Sequence, residues 1–176
     1  MDAEKELILH CLKQDIAAQN QFYRKFASKM FGLCLRYAGN TMEAEDILQE
    51  GFLRVFRNLQ HFRFEGSLEG WVRRIMVNAA INYHKKNLKY IGEVELNDNL
   101  PATISEDALS KLSKEDLLRV IHSLPVGYRT VFNLYVIEGY SHREIGTLLG
   151  VSESTSKTQF MRAKIAIKEI LKKTEV

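Results

Sequence analysis

Apolar residues recur every third or fourth position over most of this chain. Phe22, Phe26, Met30, Leu33 and Tyr37 keep that spacing and predict an amphipathic helix from Asp15 to about Tyr37. Ile47, Leu48, Phe52, Val55, Phe56 and Leu59 mark a second helix. Asn40 or Thr41 can cap it, and Glu43, Glu45 and Asp46 place negative charge at its electropositive end. The stretch "QHFRFEGSLEG", Gln60 to Gly70, is too rich in aromatic residues and glycine for a regular helix. The period resumes with Trp71, Ile75, Val77 to Ala79 and Ile81, capped by Ser67, with Arg73, Arg74, Asn78, Asn82, Lys85 and Lys86 directed outward. Residues 93 to 113 hold no sustained period and contain Asn-Asp-Asn and Pro101, which predicts a linker. From Lys114 the pattern returns through Leu117, Leu118 and Ile121, then Pro125 at a helix opening, then Val131, Phe132, Leu134, Tyr135 and Ile137. The fold class expected is all-α: two small helical domains, residues 1–92 and 114–176, joined by a flexible linker at 93–113.

The second domain ends in "GYSHREIGTLLGVSESTSKTQFMRAK", Gly139 to Lys164. Ile145, Leu148 and Leu149 share one helical face, and Phe160, Ala163 and Ile167 share another. Between them Gly150 supplies a left-handed turn, and Ser152 stands where an N-cap belongs. This reads as a helix-turn-helix. Its second helix offers Ser154, Lys157, Thr158, Met161, Arg162 and Lys164 to a groove. A helical hairpin with glycine in its turn also occurs in proteins that never meet DNA, so the remainder of the chain has to decide.

Net charge, +3 over 176 residues, says little, but its distribution says more. Residues 1–92, 93–113 and 114–176 sum to +4, −4 and +3, so two basic blocks flank an acidic spacer. Within the first block, residues 1–53 are net acidic and 54–92 strongly basic. Neighbouring surfaces of opposite sign point to two different partners. Cys11 and Cys34 stand alone, without metal-ligand spacing, and read as reduced, buried small hydrophobes. His10 beside Cys11 reads as a pair on an ordinary helix. The N-terminus "MDAEKELILHCLKQD" is unlike a secretory signal, and no apolar run approaches membrane-spanning length, so a cytoplasmic protein without membrane insertion is expected. Neither half carries a P-loop, a dinucleotide glycine pattern, a nucleophile motif or paired His ligands. No enzyme chemistry and no cofactor are expected.

Together the two halves resemble the bacterial sigma factors of RNA polymerase, in the small two-domain group called extracytoplasmic-function sigma factors, from about Asp15 to Leu171 except the linker. "AEDILQEGFLRVFRNL" is similar to the family's core-polymerase-binding helix, and "FRFEGSLEGWVRRIMVNAAINYHKK" to its melting loop and promoter-reading helix. "LSKEDLLRVIHSLPVGYRTVFNLYVIEGYSHREIGTLLGVSESTSKTQFMRAK" is similar to the domain that reads the upstream promoter element. The helix-turn-helix alone would also fit a stand-alone transcriptional regulator, and the helical domains an interaction protein. The acidic helix paired with a basic aromatic loop is what separates the sigma reading from the regulator.

The resemblance implies that Asp46, Gln49, Glu50 and Phe52 meet core RNA polymerase at the clamp helices of its beta-prime subunit, with the beta flap as a further contact. Promoter opening then needs no catalysis, only a way to make an unpaired base cheap. Flipping a base costs a few kcal/mol, and stacking on one aromatic ring returns about 1–3 kcal/mol. Gln60, His61, Arg63, Glu65, Arg73, Arg74, Asn78, Asn82 and Lys85 are the candidates for the minus-ten element and its displaced strand, while Trp71 is expected to be structural. Lys157, Thr158, Gln159, Met161 and Arg162 are those for the minus-35 element. The sequence departs from the commoner family pattern at Ser154, Ser156 and Gln159, where glycine, valine and arginine are frequent. Gln159 is expected to bond an adenine edge or face solvent. Promoter DNA and an anti-sigma protein are the remaining implied partners.

Overall fold

The computed structural model describes residues 2–85 and 113–174, all of whose regular elements are helical. The chain divides into two compact units, Met1–Tyr83 and His84–Val176. The expected linker lies outside the described residues apart from Ser113, as does Lys86.

The first unit holds α1 (Asp2–Leu12), α2 (Ile16–Tyr37), α3 (Thr41–Asn58), a 3₁₀ turn (Leu59–His61) and α4 (Leu68–Tyr83). Each start has a local cause. Asp15 Oδ1 accepts from the amides of Ala17 and Ala18 at 2.8 and 3.2 Å, which fixes the corner between α1 and α2. Asn40 Oδ1 accepts from Glu43 N at 2.9 Å while the Glu43 carboxylate takes Gly39 N at 2.8 Å, a reciprocal cap that opens α3. Ser67 Oγ accepts from Gly70 N at 3.0 Å ahead of α4.

The apolar stripes read for α2 and α3 lie in the core, where Phe22, Phe26, Met30 and Leu33 meet Ile47, Phe52 and Val55; α4 adds Val72 and Met76, whereas Trp71 and Ile75, read as its stripe, are half-buried. Fully burying one such side chain contributes about 1.5–3 kcal/mol. At Gly51 the α3 backbone lies against Met76, and a Cβ there would overlap Met76 Sδ. α3 and α4 are thereby held at close range, which sets the relative position of the two surfaces they carry.

The second unit holds α5 (Lys114–Ser123), α6 (Val126–Phe132) continuing into a π-helical turn (Asn133–Ile137), α7 (His142–Leu149) and α8 (Glu153–Thr174). Ser113 Oγ accepts from Asp116 N at 3.1 Å, and Pro125 precedes α6. Ser141 and Glu144 form a capping box on α7, with Ser141 N donating to Glu144 Oε2 at 2.8 Å. Val120, Ile121, Leu124, Phe132, Ala163 and Ile167 build the core around α8. The last helix runs for 22 residues. Leu148, expected on the buried face of α7 with Ile145, is 36% exposed, whereas Ile145 is fully buried. Leu148 lies about 60° round the helix axis from Ile145, at the edge of the stripe rather than its centre.

Candidate nucleic-acid interface

Met42, Asp46, Gln49 and Leu53 follow one another along α3 at i, i+4, i+7 and i+11 and are all exposed, Met42 at 74% and Leu53 at 51%. The face is polar and acidic in the middle and apolar at both ends. Tyr83 Oη of α4 donates to Asp46 Oδ2 at 3.4 Å. Loss of hydration pushes this phenol's pKa up, and the carboxylates of Asp46 and Glu43 push it further. Glu50 is half-buried and accepts from Arg54 Nε at 2.7 Å.

Phe52, expected at the contact surface, is only 4% exposed, its ring 4.6 Å from that of Tyr23 and 6.3 Å from that of Phe56. The correction has a geometric cause. Position 52 turns about a quarter-circle from the line through Asp46 and Gln49, so Phe52 supports that surface from beneath. Met42 and Leu53 were not among the expected residues, although they lie off the apolar stripe read for this helix. Their spacing to Asp46 and Gln49 was the available signal. Such a face can bury its apolar ends on a helix while its middle accepts from basic side chains.

Between α3 and α4 the loop alternates. Phe62 is buried and packs 5.4 Å from the half-buried Trp71, while Gln60, His61, Arg63, Phe64 and Glu65 are exposed. Gln60 Nε2 and His61 Nε2 lie 3.3 Å apart. Phe64 has φ +58, in the left-handed region, and is 50% exposed. An aromatic residue there carries a strain of about 1–3 kcal/mol. Its ring lies 4.9 Å from that of Phe62, and Lys5 Nζ sits 6.0 Å from its centre. Gly66, at φ +102, lets the loop turn into α4. On α4 the exposed residues Arg74, Asn78 and Asn82 run at i, i+4 and i+8, and Lys85, past the end of the helix, is exposed too; no carboxylate stands between them in sequence. Arg73 is half-buried, off that line. The loop thus presents one open ring beside a row of cations and amides.

In the second unit Gly150 takes φ +71 after α7, and Val151 N donates back to Gly146 O at 2.9 Å. A Cβ on Gly146 would stand 2.7 Å from Val151 O, so the turn requires glycine there. Ser152 Oγ accepts from Thr155 N at 3.0 Å and starts α8. Ser156, Gln159, Ala163 and Ile167 form the buried strip of α8. Gln159, expected to meet a base or solvent, is 3% exposed; it shares the inward face with Ser156 and Ala163. The open side carries Ser154 and Lys157, with Thr158, Met161, Arg162 and Lys164 half-exposed.

Lys157 Nζ donates to Glu153 Oε1 at 2.7 Å, and Lys164 Nζ lies 5.1 Å above the Phe160 ring. One joint was invisible in the sequence: His142 stacks on Tyr135 at 4.3 Å and 10°, and its Nδ1 lies 2.9 Å from the Oγ of fully buried Ser156. This bond ties the start of α7 to α8. Burial, then the Lys157 charge, lowers the His142 pKa.

Burial pushes the Cys34 thiol up to about 12 and raises that of Cys11, which keeps both protonated at neutral pH. Among the described residues no group of His, Cys, Asp and Glu is placed to hold a metal ion, and no helix is long and apolar enough to cross a membrane.

Residues 22–89 match the family model for sigma-70 region 2, and residues 114–167 that for sigma-70 region 4. The chain is 33% identical over 162 residues to the ECF RNA polymerase sigma factor SigE of Mycolicibacterium smegmatis, covering 88% of this chain and 62% of that relative. It is 32% identical over 159 residues to the ECF RNA polymerase sigma factor SigW of Bacillus subtilis, covering 84% and 85%. Among solved structures it shares its fold with the sigma factor RpoE from Bartonella quintana, solved in complex with the anti-sigma factor NepR. The TM-score is 0.54 and the identity 18%, over 87% of this chain and 96% of that one. With both regions in order on one chain, the protein belongs to the sigma-70 family of RNA polymerase sigma factors, in its extracytoplasmic-function group.

Proposed function

We propose that this sigma factor is a dissociable initiation factor that works by binding alone, without catalysis, in the cytoplasm. Residues 1–92 act as one binding unit, 93–113 as an acidic tether and 114–176 as the other. The α3 face of Met42, Asp46, Gln49, Glu50 and Leu53 docks on the clamp helices of core RNA polymerase. Charge steers the encounter, and the two apolar residues hold it. The exposed ring of Phe64 stacks on an unpaired base of the minus-ten element. Gln60, His61, Arg63 and Glu65 hold its edges, and Arg74, Asn78, Asn82 and Lys85 hold the displaced strand. Arg73 sits beside that row. α8 enters the major groove of the minus-35 element with Lys157, Thr158, Met161 and Arg162, and the second unit rests on the beta flap.

The observation that carries this reading is the close pairing of two unlike surfaces in the first unit: an acidic face with apolar ends on α3, and a strained aromatic loop beside a cationic helix. A repressor's companion domain has no use for that pair. The fold neighbour solved with an anti-sigma factor supports a similar partner here, one that would cover the α3 face and hold the chain inactive. Gel filtration of the full chain with core polymerase tests the proposal. Stoichiometric co-elution, weakened at least tenfold by Asp46→Ala with Gln49→Ala, is expected. A folded chain that never co-elutes, yet footprints duplex DNA alone, would mean a stand-alone regulator.

A further inference from the structure

α1 lies ahead of the residues that the two family models match, 22–89 and 114–167, and contributes nothing to the polymerase face on α3 or to α8. Ile8 and Cys11 bury one side of it, and Glu4 Oε1 accepts from Lys25 Nζ of α2 at 2.7 Å. Packed in this way, α1 brings Lys5 to the loop, where its ammonium lies over the Phe64 ring, 6.0 Å from the centre. A separation of about 6 Å is the outer limit at which a cation gains from a ring, so Lys5 does little to hold Phe64 in place. Among the described residues no carboxylate pairs with the exposed Lys5, and the adjacent Glu4 is engaged by Lys25. A half-exposed ring thus stands beside a cation with its charge uncompensated.

Single-stranded nucleic acid is held by those two parts together, an aromatic platform for the base and a cation for the backbone. A base and its phosphate are one sugar apart, so a base laid on Phe64 carries a phosphate within reach of the flexible Lys5 side chain. A phosphate is a far stronger partner for an ammonium than a ring half in solvent. Resting on the sigma-factor reading above, we propose that Lys5 is a strand-positioning residue. Its ammonium covers the Phe64 ring in the free chain, and when an unpaired base takes that ring it swings to the phosphate of the same nucleotide. α1 then belongs to the strand-capture site, and its contribution is to single strands and not to duplex.

The test uses holoenzyme assembled from the full chain and core polymerase, with a fluorescent single-stranded DNA that the wild-type holoenzyme selects from a random pool. Anisotropy over a salt series gives the affinity and its salt slope. Lys5→Ala should weaken binding about fivefold and make the slope of log affinity against log salt shallower by about 0.7, the value for one phosphate on a single strand. Lys5→Arg should keep both. Phosphates are then replaced one at a time by uncharged methylphosphonate. One replacement, beside the captured base, should weaken the wild type about fivefold and leave Lys5→Ala unaffected, the signature of a direct pair. A Lys5→Ala slope equal to that of the wild type, or phosphonate losses as large in Lys5→Ala at every position, would overturn the inference while leaving the sigma reading standing. A wild-type holoenzyme that selects no single strand would overturn the sigma reading itself.

Discussion

Phe64 combines a left-handed backbone with a ring half in solvent, two features that both cost folding free energy. Substitution by glycine separates stability from function. Phe64→Gly relieves the backbone but adds freedom to the unfolded chain, so thermal denaturation should show a change within about 1 kcal/mol of zero. Promoter opening, followed by permanganate reactivity of unpaired thymines, should fall about tenfold or more for want of a stacking ring. A large loss of stability with opening intact would make Phe64 a packing residue. Arg162→Ala should weaken upstream recognition by about tenfold and leave co-elution with core polymerase unchanged; equal loss of both would contradict the division of labour between the units. Individual residues were also where sequence reading reached least far. Helical spacing placed Arg74, Asn78, Asn82 and Lys85 outside, since a charged or amide side chain on a helix rarely faces a core, but Arg73, expected outside with them, is half-buried. It misplaced Gln159, because a polar side chain was assumed to face water, and the neighbours that bury it come from other helices.

At the scale of elements the periodicity of apolar positions located α2, α3 and α4 though not the face that α4 buries, and the caps were legible: Asn40, Ser67 and Ser152 all stand at helix starts that the sequence marks. What the period could not convey is how closely two helices approach. Gly146 is an example, an unremarkable glycine within a helical run that proves to face the Val151 carbonyl across the turn. Gly146→Ala drives a methyl against backbone, which cannot swing aside as a side chain can. It should destabilise the second unit by about 1–3 kcal/mol, seen as a lowered urea midpoint, and weaken upstream binding with it. A midpoint unchanged within error would mean that the turn relaxes freely. The π-helical turn at Asn133–Ile137 was likewise illegible. Its sequence reads as continuing helix, and its consequence, Tyr135 laid flat on His142, depends on a partner beyond that segment.

For the whole molecule, the alternation of basic, acidic and basic segments was legible from counting charges, and it matched the places where the helical period fails and resumes. Interactions between segments distant in sequence were not legible, and one has a pH consequence. His142 bonds Ser156 and is held below its ordinary value near 6.5 by burial and Lys157. The folded state therefore disfavours the protonated ring, and the unfolded chain takes up the proton first. Stability of the second unit should be steady above pH 6.5 and decline as pH falls below it. Urea titrations between pH 8 and 5 measure this, and His142→Gln should flatten the decline; a wild-type slope of the opposite sign would contradict the account.

The claim on which everything else depends is initiation at two-element promoters by a chain that must first bind polymerase. Fragmented genomic DNA transcribed by core polymerase with and without the full chain, with RNA 5′ ends mapped by sequencing, tests it directly. Discrete new start sites, each preceded by the same two elements and abolished by Asp46→Ala with Gln49→Ala, are the result predicted. Start sites no different from those of core polymerase alone would contradict it.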